Sequence, residues 1–395
     1  MDGGGVRPVR VAMVCGADDP ALDGVADYTR RLAAALHDVD VHVSPVAVVP
    51  RRPGGWLAAV RGAAGAVRAL APDLVHVQFA PSAFRFSGRP GLLLPPLLPR
   101  SVPLVTTLHE YGSWSAPSWL PDRVWRRLER AGRLDRESGR LVPGSDLVLV
   151  TNDTHGAVVT ARTGRRPLRV PVPPNVADHG APGGARQRFR RRLGLAPDAV
   201  LLVFFGFVHP VKGVRYLLEA LPWLRSRHPA LHLAVVGGFT SRALPEPQAA
   251  AFRAELVGIA AAHGVGDAVT FTGYLPAPEV SEALHAADAA VLPFGEGVTT
   301  KSGALVAALA HGLPTAATLP PAGDPDLVDG VTVAVIDRRR DAPAVARATD
   351  RLLSDAALRG RLARAGRAVA AHRSWPGIAA AHRAAYERLL PVRDG

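Results

Sequence analysis

Residues 293–317 read PFGEGVTTKSGALVAALAHGLPTAA, and in them Thr299, Thr300, Lys301, Ser302 and Gly303 stand together just before an Ala/Leu run. Glycines let a backbone approach a ligand closely, and the first amides of a helix have no partner inside it. Two threonines, a serine and an ammonium added at that place make an anion cradle, most simply for phosphate. The spacing is not that of the common triphosphate loop, which needs Gly, four residues, then Gly-Lys-Ser/Thr. The same composition also suits a polar strand-to-helix loop with a solvated lysine. A second position that could do chemistry is His109, which ends an apolar run in TLHEYG. It is followed by Glu110, which points to the other side of the pleat. A histidine at a strand end serves as an acid, a base or a hydrogen-bonded structural group.

The rest of the chain limits the choice. Its 395 residues are enough for two domains with their own cores. At 48% hydrophobic and 21% charged, it has an ordinary globular balance. The single cysteine, Cys15, excludes an intramolecular disulfide framework and fits a reducing compartment. It lies in the apolar run VRVAMVCG, where a buried, inert thiol is expected. No stretch approaches 18 unbroken apolar residues, GLLLPPLLP being short and interrupted by proline. MDGGGVRPVR lacks the apolar core of a signal peptide, so the expected compartment is the cytoplasm.

The net charge of +13 has two readings: a basic surface for phosphorylated or anionic partners, or a general Ala/Arg bias. Its arginines are spread along the chain, with clusters in RQRFRRRLG (186–194) and DRRRD (337–341). No aromatic residues interleave with them as a single-strand groove requires, so nucleic acid is not an expected partner. Arg190, Arg191 and Arg192 are expected on a solvated helix face.

Strand and helix patterns alternate throughout. VRVAMVCG, VDVHVSPVAVV, DLVHVQFA, PLVTTLHEYG and SDLVLVTND read as strands with helical stripes between them. After about residue 185 the alternation restarts with AVLLVFFG, LHLAVVGG, AVTFTGYL, AAVLPFG and TAATLPP. Helices are expected near 247–263, 278–286 and 302–310, and over 375–390. The expected fold is therefore α/β, with two doubly wound Rossmann-like domains facing a cleft. The domains are set at 1–180 and 181–374, divided in the Pro/Gly-rich stretch 173–187, with a final crossover helix in 375–395.

With these segments in order, the chain resembles the GT-B glycosyltransferases, specifically the large retaining group numbered family four. DGVADYTRRLAAAL is similar to that family's early Gly-rich turn and helix, and TLHEYG to its strand ending in histidine. VPPNVA resembles the Pro-Asn-Gly-Val hinge, and FGFVHPVKGVRYLLEALPWL the Lys-Gly segment that opens the second domain. VTFTGYLPAPEVSEALHAADAAVLPF matches the strand-helix-strand run, LAHGLP the Gly-x-Pro turn, and SWPGIAAAHRAAYERLL the terminal helix that crosses back to the first domain. The resemblance covers nearly the whole chain.

The resemblance implies a hexosyltransferase-type enzyme that moves a sugar from a nucleoside-diphosphate donor to an acceptor hydroxyl with retention. It implies no metal and no cofactor beyond the donor as substrate. The acceptor hydroxyl attacks on the leaving-group face and passes its proton to the departing phosphate, so paired carboxylates of the glycosidase kind are not required. Lys212 then neutralises the leaving diphosphate, and Lys301, Ser302 and Gly303 complete the clamp. Gly24 adds backbone amides from the other domain, and His109 lies near sugar and acceptor. His209, Glu296, Thr299 and Asp326 are the weaker candidates for donor sugar or nucleotide.

Several positions depart from the family pattern. Phe207 stands where an arginine is usual, with His209 or Lys301 as the replacement cation. Thr299 and Ala307 occupy the places of two glutamates, unless a longer loop brings Glu296 to the first. Asp326 falls where a glutamate is frequent, and its other reading is a helix cap. These departures keep open a sugar-nucleotide epimerase or a non-catalytic GT-B scaffold. The acceptor is expected to be a small molecule, a glycan or a lipid-linked molecule, as in natural-product or cell-envelope glycan biosynthesis. The basic, apolar segment 81–99 would allow peripheral contact with the inner face of a membrane. Trp114, Trp119 and Trp125 are placed to stack on a sugar or to pack their loop.

Overall fold

In the computed structural model, residues 7–16, 23–178, 180, 183–240 and 244–390 are described. Two units account for the chain. One comprises Met1–Pro171 with Trp375–Gly395, the other Val172–Ser374. The sequence places the boundary after residue 180. In the structure 172–178 groups with the second unit, because Val176 is buried in that unit's core and the Asn175 amide donates to the Gly303 carbonyl at 3.4 Å. Residues 179, 181 and 182 of the expected boundary stretch lie outside the described residues.

The first unit holds β1 (Val9–Cys15), β2 (Val41–Ala47), β3 (Leu74–Phe79), β4 (Leu104–Leu108), β5 (Leu147–Val150) and β6 (Leu168–Arg169). They form one parallel sheet in the order β2-β1-β3-β4-β5-β6. Every residue of β3 and β4 is buried, as a parallel strand covered on both faces requires. Cys15 is buried at the end of β1, as its apolar surroundings predict. The closing helix, Trp375–Glu387, packs on the Gly24–His37 helix of the same unit. Tyr386, fully buried, is its anchor, with its hydroxyl 2.7 Å from His76 Nδ1.

The second unit holds β7 (Val200–Phe205), β8 (Leu231–Val236), β9 (Val269–Gly273), β10 (Ala289–Leu292), β11 (Thr315–Thr318) and β12 (Ala334–Ile336). Their parallel order is β12-β11-β10-β7-β8-β9. Read outward from β7 this is the doubly wound dinucleotide-type order, whose direction reverses between β7 and β10. The helices Val214–Arg227 and Gly303–Ala310 follow these two strands. The second is apolar all round and its interior is buried, which explains why no polar face marks it in the sequence.

β6 and β12 have no counterpart in the sequence reading, being two and three residues long. The three arginines at 190–192 are not one solvated face. Arg190 is buried and donates to the carbonyls of Ala286 and Ala199, while Arg192 pairs with Glu279 at 2.6 Å. Among the described residues no helix is long and apolar enough to cross a membrane.

Candidate active site

In open α/β sheets the loops at the carboxyl ends of the strands where the order reverses are the ligand-binding positions. In the second unit those loops carry the residues singled out by type. The segment after β7 contains His209 and Lys212, and the segment after β10 contains Glu296, Thr299, Lys301, Ser302 and Gly303.

The two loops are locked together by backbone. The Gly295 amide donates to the Val211 carbonyl at 2.8 Å. Gly213 has φ +71°, and a Cβ there would lie 2.0 Å from the Pro293 carbonyl oxygen. Glycine is thus the residue that lets the Lys212 turn sit against the start of the β10 loop. Lys212 ends a 3-10 turn over Pro210–Lys212, and its Nζ lies 3.8 Å from the centre of the Phe294 ring. The ring face attracts the ammonium by a cation–π interaction. His209 caps the same turn, its Nδ1 accepting from the Val211 amide at 3.3 Å. Gly213→Ala is expected to cost at least about 1–3 kcal/mol of stability from the positive φ and the backbone displacement. Gly24→Ala meets no atom within 4 Å and is expected to be tolerated. Thermal melts of the two variants compare them directly.

The start of the Gly303–Ala310 helix is built for an electron-rich group. Ser302 caps it, with its hydroxyl accepting from the Leu305 amide and its carbonyl from the Val306 amide. The amides of Gly303 and Ala304 have no acceptor within the helix. Beside them, two buried side-chain atoms lack hydrogen-bond partners: Thr299 Oγ1 and Asn175 Oδ1. Asn175 lies against Gly303, where a Cβ would be 3.0 Å from its own Cβ. Buried polar atoms are normally paired, so two orphans beside one helix start, among the described residues, make it a candidate ligand position. Rotation of the Asn175 amide would present its NH2 instead of its oxygen to that ligand.

Behind this loop stands a buried support that the sequence does not reveal. Arg373, with 5% of its side chain exposed, binds Asp326 at 2.6 Å and reaches the Thr300 carbonyl at 3.5 Å. Asp324 accepts from the Thr300 amide at 2.8 Å and its hydroxyl at 3.0 Å. Asp326 is therefore a partner of Arg373 rather than a helix cap. Glu296 is turned outward into an ion pair with Arg340, with Arg339 at 3.8 Å. Lys301 is exposed next to the capping serine. Ala307 is fully buried in the core, so its place offers no polar atom to a ligand.

In the first unit, Gly24 opens the Gly24–His37 helix, but the carboxylate of Asp23 already accepts from the Val25 and Ala26 amides at 2.8 and 2.9 Å. The positive end of this helix thus carries a negative cap of its own. Residues 17–22, between β1 and Asp23, lie outside the described residues. His109 follows β4, with its Nε2 2.7 Å from Gln78 Oε1 and its ring edge-on to Tyr28 at 4.8 Å. Gln78 and Thr107 in turn contact His76, which reaches Tyr386. Burial, with repulsion from His155 and His382, pushes the His109 pKa down to about 3. The ring is neutral at pH 7, and its bond to Gln78 Oε1 places the proton on Nε2 and the lone pair on Nδ1. Glu110 is exposed and accepts from the Ser82 amide at 3.3 Å. Of the three tryptophans, Trp125 is buried, Trp119 is exposed and Trp114 packs edge-on to Phe86.

Comparison with known proteins adds a family to this geometry. The profile described as "Glycosyl transferases group 1" matches residues 199–355. The D-inositol 3-phosphate glycosyltransferase of Thermobifida fusca is 30% identical over 332 residues, covering 80% of this chain and 70% of that protein. Against three others of that name the chain spans only 37%, 52% and 57% of their length. Among solved structures, Thermosynechococcus elongatus sucrose-phosphate synthase aligns over 96% of this chain and 99% of its own with TM-score 0.72 and 21% identity. Anabaena HepE, solved in complex with UDP and glucose, aligns over 96% and 100% with TM-score 0.70 and 16% identity. At these identities the structures share the GT-B fold with this chain.

Proposed function

We infer the reaction from a premise and a site: the chain belongs to the group 1 glycosyl transferases, and its second unit holds a candidate anion cradle at its switch point. The proposed activity is transfer of a sugar from a nucleoside-diphosphate donor to an acceptor hydroxyl, with retention at the anomeric carbon. The observations that carry it are the Lys212 ammonium held beside the β10 loop, and the unpaired Thr299 Oγ1 and Asn175 Oδ1 close to the start of the Gly303–Ala310 helix. UDP bound to HepE, which shares the fold, supports a uridine donor.

In the proposed reaction the bond between the anomeric carbon and the β-phosphate oxygen breaks, and one from that carbon to the acceptor oxygen forms on the same face. The acceptor's proton passes to the departing phosphate oxygen. Charge thus builds on the diphosphate, where Lys212 and the helix amides stand ready in fixed positions. No side-chain nucleophile or paired carboxylate is needed, in keeping with an outward-turned Glu296 and a buried Ala307. Gln78 fixes the proton of His109 on Nε2, and the neutral ring is proposed to accept a sugar or acceptor hydroxyl at Nδ1.

A thermal-shift panel of UDP, GDP, ADP and their sugars tests it. A donor at 100 times its Kd stabilises by about 2.7 kcal/mol, which a melt resolves. One nucleotide family should raise the Tm and the others should not. If none does, the cradle does not hold a nucleotide, and a non-catalytic scaffold becomes the better account.

A further inference from the structure

The second unit carries another cluster of ligating groups, at the opposite end of the Gly303–Ala310 helix from the cradle. His311 caps that helix, His285 ends the Ala277–Ala286 helix, and Asp178 follows the 172–176 segment. One ligand atom from each lies within 4.8 Å of the other two. Asp178 Oδ1 is 2.7 Å from His285 Nε2 and 4.0 Å from His311 Nε2, and the two rings meet edge-on at 4.8 Å. We propose that Asp178, His285 and His311 form a site for a divalent transition-metal ion of the zinc class.

The hydrogen bonds favour that chemistry. His311 Nδ1 is 2.7 Å from the Ala307 carbonyl, which can only accept, so the ring carries its proton there. Its Nε2 therefore presents a lone pair toward Ser281 Oγ, 2.8 Å away, and toward Asp178. A ligating histidine is normally fixed in this way, with its other N–H donated to a backbone carbonyl. The His311 side chain is fully buried and that of His285 is 17% exposed, whereas Asp178, at 33%, leaves a path from solvent. Two imidazoles and a carboxylate suit Zn²⁺, with water as the fourth ligand. Binding replaces the hydrogen between Asp178 and His285, and the displaced proton moves to Nδ1 of His285 or to solvent. The ion also meets the negative end of the Gly303–Ala310 helix dipole.

Its role would be a clamp. The ion would tie the 172–178 segment to two helices, and that segment carries Asn175 against Gly303. The three positions, 178, 285 and 311, are far apart in sequence and follow no short-range ligand spacing. The proposal does not depend on the nucleotide reading, since its test contains neither donor nor acceptor.

The test is calorimetric titration of Zn²⁺ into the EDTA-treated full chain, with melts in parallel. The expected result is one ion per chain and a raised Tm. Loss of an outer partner of a metal ligand costs roughly 10–100-fold in affinity, so loss of a ligand must cost at least that. His285→Ala and Asp178→Asn should each weaken binding by at least about 10-fold. Asp178→Asn keeps the shape of the side chain and serves if His285→Ala does not fold. The exposed, stacked His37 and His42 are the obvious competing ligands, and His42→Ala should leave binding unchanged. The absence of stoichiometric binding, binding unaffected in the folded Asp178→Asn variant, or binding abolished by His42→Ala would each overturn the site.

Discussion

Lys212→Ala is expected to lower kcat/KM for sugar transfer by about 10²–10³-fold, equal to about 2.7–4 kcal/mol of transition-state stabilisation. The argument rests on where the charge appears. The donor diphosphate gains negative charge as the glycosidic bond stretches, and the Lys212 ammonium is held over the Phe294 ring beside the β10 loop. An ammonium already in position need not reorganise when the charge develops. Most of the loss should fall on kcat, with a smaller weakening of nucleoside-diphosphate binding seen by thermal shift. The fold should survive, since Lys212 lies in a surface turn set by Gly213 and the Gly295–Val211 hydrogen bond. Lys212→Arg tests geometry against charge, because guanidinium keeps the charge but cannot act as the same compact point donor. Steady-state rates for the three proteins decide the matter. Equal rates for wild type and Lys212→Ala would remove Lys212 from the reaction.

The contrast between Lys212 and Glu296 shows what a sequence can and cannot convey about such a site. Lys-Gly before an amphipathic helix is a local signal, because the glycine reports a positive φ and the lysine follows from the turn. The ten long strands are legible for the same reason: apolar runs of four to seven residues bounded by breakers are local patterns. Glu296 is ambiguous in sequence because its orientation is decided by Arg339 and Arg340, more than forty positions away. Arg373, Asp324 and Asn175 carry no sequence signal on the same ground. Each acts across the fold on Thr300 or Gly303, and nothing next to them in sequence marks that contact. Gly24 shows the reverse. Its position before a helix was plain, but Asp23 fills the helix start, a competition between neighbours that the Gly-rich pattern conceals.

Acid should unfold the first unit before the second. His76, His109 and His382 lie in one network with Tyr28 and Tyr386, and His155 adds its own repulsion to His109. Burial pushes His382 down to about 4 and His109 to about 3, and it also holds His76 well below the ordinary histidine range, helped by repulsion from His382 and His109. His382 Nε2 is buried with no hydrogen-bond partner, so a proton added there would create a charge with no acceptor. These pKa values lie below the roughly 6.5 of an unfolded histidine, so the unfolded chain takes up protons first as pH falls. Stability from the neutral rings is complete above about pH 6.5 and declines toward pH 4, by about 1.4 kcal/mol per pH unit for each histidine. For His382 alone that amounts to about 3 kcal/mol over the interval. Five of the six tryptophans belong to the first unit, with Trp223 alone in the second, so tryptophan fluorescence reports chiefly on the first. Its thermal midpoint should fall steeply between pH 6.5 and 4, and His382→Leu should flatten that slope. A midpoint unchanged over this range would mean that the histidine network admits protons without cost, and that its burial is not what holds the closing helix in place.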